Sequence, residues 1–142
     1  MNQLNVDLGL EEFKLGSGVL RFNPADPGLY ARFMELEPEL EQLRTALLRD
    51  SEKVSDAAGV LQLLTETDRQ FKTLLTRVFG AENDFSRLLS GVNLLAQGTN
   101  GRSVGENLLC ALEPVLTRGA ERFADQQTQA AVEKARQRRE NQ

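Results

Sequence analysis

GVLRFNPADPGLYARF, residues 18–33, changes its period half-way along. Leu20 and Phe22 keep the two-residue spacing of a half-buried strand. Pro24 bars Asn23 from helical geometry and so stops that strand. Asp26 carries a carboxylate that can accept the free amide hydrogens of a helix's first turn, and Pro27 suits the first helical position, where its missing N–H costs nothing. From there Leu29, Phe33, Leu36, Leu40, Leu43 and Leu47 recur at intervals of 4, 3, 4, 3 and 4, which keeps one seam on a helix face. A strand, a rigid corner and a long amphipathic helix make this chain mainly α with a small β element, an α+β fold.

Upstream of the corner, Leu4, Val6, Leu8 and Leu10 alternate with polar or small neighbours, and Phe13 and Leu15 alternate up to Gly16-Ser17-Gly18. The reading is an N-terminal β-hairpin over about residues 3–23, or a three-stranded meander. LGSG is taken as a hairpin turn rather than a phosphate loop, because no long helix follows the glycines and no Lys-Ser or Lys-Thr pair closes the motif.

Downstream, the first helix is expected over about 27–50. Pro38 removes one hydrogen bond inside it, and the seam keeps register across it, so a kink or restart is expected there. Val60, Leu64, Thr67, Phe71, Leu74 and Val78 repeat the spacing and predict a second helix over about 56–79, folded back on the first as an antiparallel hairpin. Gly80 suits its exit, and Asp84 caps a short third helix, about 84–91. AQGTNGRSVGEN, residues 96–107, is a loop running into the capping box Ser103…Glu106, which opens a last helix over about 103–125 with a kink expected at Pro114. Residues 1–125 thus read as a single domain. Residues 126–142 read as a polar, charged helical extension or tail, with net charge +2 over 133–142.

Composition narrows the chemistry. The 142 residues include no His, which removes the commonest general base and metal ligand, and one cysteine, Cys110. Cys110 lies in NLLCALE at apolar helical spacing and is expected to be buried packing. The carboxylates Glu35, Glu37, Glu39 and Glu41 fall on a polar helix face, where nothing shifts one against another to form an acid–base pair. GTNGR, residues 98–102, has glycines and a cation ahead of a helix start, but a tight interhelical loop uses the same residues. The chain is therefore read as no enzyme, with no metal and no cofactor. A net charge of −4 argues against nucleic acid as a partner, and no apolar run reaches the length of a membrane span. With no basic-then-apolar leader in MNQLNVDLGL, the expected location is cytoplasmic.

Binding or assembly remains. LLSGVNLLAQG places Leu88, Leu89, Val92, Leu94 and Leu95 around Gly91 beside the loop, and these five are the candidate partner-binding residues. The plainer reading of the same side chains is that they close one end of the core. Self-association could use the hairpin edge or the helical seams.

The opening strand–Phe22-Asn23-Pro24-x-Asp26-Pro27–helix pattern with Tyr30 and Phe33, followed by the Val78-Phe79-Gly80 helix exit, resembles the small tail assembly chaperones of long-tailed bacteriophages, in the group from phages and prophages of Gram-positive-type hosts. The resemblance spans about residues 10–124. It implies a non-enzymatic protein of the host bacterial cytoplasm that coats the long helical tape-measure protein, keeps it soluble, and is displaced as tail-tube subunits polymerise. In many such phages a programmed frameshift adds a second domain to a minority of copies. The competing reading is a stand-alone oligomeric structural or adaptor protein of a phage particle or host complex.

Overall fold

The computed structural model describes residues 1–141. The elements are β1 (Glu11–Leu15), β2 (Gly18–Phe22), α1 (Pro27–Ser51), α2 (Ala57–Phe79), α3 (Phe85–Leu88) and α4 (Val104–Glu140), so the fold is mainly α with a small antiparallel hairpin. In that hairpin Glu11 faces Phe22 and Leu15 faces Gly18, and Gly16 turns the chain at φ +58°. Leu20 and Phe22 point into the core. Phe13 stacks on Phe22 with ring centroids 4.8 Å apart, and Phe22 meets Phe79 edge-on at 5.0 Å.

The corner is built as its residues dictate. Asn23 Oδ1 accepts from the Ala25 amide, and Asp26 Oδ1 accepts from the Gly28 amide at 2.8 Å, capping α1. Pro24 is buried because α4 crosses it at Gly119, where a β-carbon would lie 1.7 Å from the Pro24 carbonyl oxygen. Another close fit lies at the start of α4, where Gly105 sits against the Phe71 ring.

α1 and α2 are antiparallel: the Arg32 guanidinium donates to the Val78 carbonyl, Glu39 pairs with Arg77, and later in α1 Gln42 and Leu43 share a groove with Leu74 and Gln70, earlier in α2. Burial fades with distance from the sheet. Leu29 and Leu36 of α1 and Phe71, Leu75, Val78 and Phe79 of α2 are buried, whereas Leu43, Leu47, Leu63 and Leu64 are half-buried and Leu48 and Leu61 are exposed. The core therefore occupies one end of the helical hairpin, under the strands, α3 and the first half of α4.

Several expectations are corrected. Residues 1–10 form no strand, and Leu4, Val6, Leu8 and Leu10 are all exposed. The inward-facing residues of β1 are odd-numbered and the apolar residues of this arm are even-numbered, so one straight strand cannot bury both sets. The chain turns instead at Gly9, φ +67°, whose backbone amide donates to Asp7 Oδ1, while Asn23 Nδ2 donates to the Leu8 carbonyl. The third helix is shorter than 84–91, because Ser90 (φ +55°) and Gly91 (φ +74°) leave helical geometry. α1 and α4 are each one continuous helix through Pro38 and Pro114, so of the kink or restart expected at Pro38 the restart is absent. Both prolines are exposed, and the carbonyls they leave free belong to the exposed residues Met34 and Cys110, where water can satisfy them. Cys110 is exposed rather than buried: Leu108, Leu112 and Leu116 define the inward face, and a position two residues from Leu108 and Leu112 lies on the opposite side. α4 continues as helix to Glu140, well past the end expected near 125.

Candidate functional site

The leucine cluster proposed from the sequence is a clasp on the core. Leu94 is fully buried and Leu88 nearly so, Leu89 and Leu95 are half-buried, and Val92 alone is open, at 43% exposure. The segment is tied to α2 by polar side chains. Asp68 Oδ1 accepts from the Leu94 amide at 2.7 Å, and its other oxygen pairs with Lys72, which also donates to the Val92 carbonyl. Asn93 donates to the Leu64 carbonyl and accepts from the Leu95 amide. Leu88 lies against Gly16 and Gly18 of the hairpin, so its face is occupied by the protein itself. Leu88 and Leu94 therefore belong to the core, as the reading in which these leucines close its end expects.

The free edge of β2 is also occupied. The Asn83 side chain accepts from the Arg21 amide at 3.0 Å and donates to both the Arg21 and Phe79 carbonyls, in the manner of a neighbouring strand. Buried as it is, the amide has partners for both ends.

The open apolar feature lies on the other side of the molecule, between α1 and α4. A cleft of about 440 Å³ is lined by Tyr30, Phe33, Met34, Leu36 and Leu40 from α1 and by Leu109 and Leu116 from α4. Its two walls each carry a carboxylate, Glu37 on α1 and Glu113 on α4, and Thr117 completes the rim. The cleft follows from how α4 is held. The close fits at Gly105 and Gly119 fix α4 over Phe71 and Pro24, and its Leu108, Leu112 and Leu116 turn to the core. That leaves Leu109 facing across to Met34, which is 55% exposed. Phe33, Leu36 and Leu40 already stand out in the sequence as seam residues of α1. Met34 and Leu109 lie off the 4–3–4 seam, and the doubled leucine in NLLCALEPVL is the only sign of a second apolar face on α4.

No known protein family, characterised protein or solved structure matches this chain.

Glu66, on the exposed side of α2, is held down to about 2 by hydrogen bonds first from Arg69 and then from Gln70, and Arg69 is raised in return. Neither group lines the cleft. Among the described residues no three His, Cys, Asp or Glu side chains stand together as a metal-binding group, and no helix is long and apolar enough to cross a membrane. The GTNGR loop closes on itself, with the Gly98 amide donating to the Arg102 carbonyl and Asn100 bonded to Asn107. What the cleft offers chemically is an apolar floor flanked by one carboxylate from each helix.

Proposed function

We propose that this protein is a non-enzymatic tail assembly chaperone of a phage or prophage, acting in the host cytoplasm to keep a helical tape-measure protein soluble before the tail tube forms. The observation that carries the reading is the α1–α4 cleft, whose exposed Met34 and half-buried Tyr30, Phe33, Leu40 and Leu109 offer an apolar surface to a client helix. The resemblance of the Asn23–Phe33 corner and the Val78–Gly80 exit to such chaperones supports it. An open, shallow site also suits a client that must later be released, because its grip is spread over few apolar contacts.

The alternative, an oligomeric structural or adaptor protein, draws on the projecting half of α4, which is exposed from Ala124 to Glu140 and could bridge two bodies. Co-expression with the long helical tape-measure protein separates the two, read by size-exclusion chromatography with light scattering. The chaperone reading expects a soluble complex, and expects Met34→Glu with Leu109→Glu to leave the client in the pellet while the variant itself stays folded. A client that remains insoluble beside wild-type protein sinks the reading.

A further inference from the structure

The projecting half of α4 has the complementary shape and charge to the cleft. At 100° per residue, Thr128, Ala131, Val132 and Ala135 fall on one face of the helix, which Arg139 closes at its C-terminal end, with Arg136 on one flank and Arg138 on the other, while Glu133 and Glu140 lie on the far side. All are exposed, Val132 at 58%. The one ion pair of this stretch, Arg136 with Glu133, is long at 3.9 Å and solvent-screened, so it holds Arg136 weakly. The cleft presents the inverse pattern: an apolar floor between Glu37 on one wall and Glu113 on the other. Charge is also divided along the whole chain, since +2 on residues 133–142 out of a total of −4 leaves −6 on residues 1–132.

We infer that the C-terminal half of α4 from one copy docks in the α1–α4 cleft of a second copy, with Val132 and the alanines on the floor and Arg136 and Arg138 paired to Glu37 and Glu113. The occupant comes from another molecule because α4 is one uninterrupted helix from Leu109, in the cleft, to Glu140, and a helix cannot fold back onto its own side. Residues 124–140 reach about 25 Å beyond the body, ample for the roughly 15 Å from Tyr30 to Leu40. Small side chains let the docking helix come close to a floor already filled by Phe33 and Leu36. Tail and cleft are different surfaces, so the contact is head-to-tail and every copy keeps one tail and one cleft for further neighbours. The product is a ring if the rotation closes and an open chain if it does not.

The inference goes beyond client binding and is tested without any client. Light scattering of the full chain over a range of concentrations should show mass growing past a dimer at low ionic strength and falling at about 0.5 M salt, where surface charges are screened. Arg136→Glu with Arg138→Glu, or Glu37→Lys with Glu113→Lys, should each weaken association at least about tenfold. All four together should restore it, with helical circular dichroism unchanged throughout. In a Cys110→Ser background, Met34→Cys combined with Val132→Cys should give a ladder of disulfide-linked species, while either alone gives none beyond a dimer. A monomer at every concentration, an oligomer indifferent to both charge pairs, or no recovery in the fourfold variant would overturn the docking. None of these results would bear on whether a tape-measure helix binds the same cleft.

Discussion

Gly119 is where the sheet corner and α4 touch, and no other residue fits there. A methyl group would stand 1.7 Å from the Pro24 oxygen, a backbone atom that cannot swing aside. Alanine normally favours a helix interior over glycine by about 1 kcal/mol. Here Gly119→Ala should instead destabilise the fold by about 2 kcal/mol or more, because α4 must lift from the corner. Urea denaturation measures the sign directly, and a stabilised variant would show that the approach is loose. Glu66 allows a second residue-scale check. Its folded value is depressed from 4.5 to about 2, so its contribution to stability is present above 4.5 and lost as pH falls towards 2. An NMR titration should find its carboxyl midpoint well below that of a free glutamate, and Arg69→Gln should bring it back up. The residue scale is also where the sequence was most legible. Asp26, Asp84 and Ser103 cap their helices as their chemistry requires, since a cap is made with neighbours two or three positions away. Cys110 was misread because apolar neighbours in sequence do not say which side of a helix faces inward.

At the scale of elements, α4 is two things in one helix. Up to Phe123 it has tertiary partners, and from Ala124 onward every described residue is exposed. A helix without packing partners is marginal in water. Amide hydrogen exchange should therefore divide it. Val104 to Phe123 should be protected nearly to the global limit, and Gln126 to Glu140 should exchange within roughly 10- to 100-fold of free-peptide rates at low protein concentration. Protection of the outer half that appears only on concentrating the sample would report docking between copies. The helices were legible from their seams, and α1 and α2 stand within a residue or two of their expected bounds. The arm at residues 1–10 was not, because alternation marks an extended segment without saying whether a partner strand exists in phase with it. The cleft was hidden for a related reason: it depends on how far apart two helices stand, which is set by Gly105 and Gly119 at remote positions.

The whole molecule is lopsided. Phe22, Phe85 and Leu75 are fully buried towards the sheet end, whereas no side chain from Leu43 to Leu64, at the far end of the α1–α2 hairpin, is fully buried. Leu75→Ala should therefore cost about 2–5 kcal/mol, and Leu47→Ala about 1 kcal/mol or less. Comparable losses at the two sites would mean that the distal end is covered in solution. The grip of α4 on Pro24 has a further consequence in time. A ribosome releases residues 18–33 early, yet Asn83, which completes the edge of β2, and Gly119, which seats the corner, emerge much later. At about 5–20 residues per second the strand and the first apolar seam stay uncovered for several seconds of synthesis. The nascent chain passes through that interval as a sticky, open hairpin, and it becomes a finished body only once the first half of its last helix has emerged.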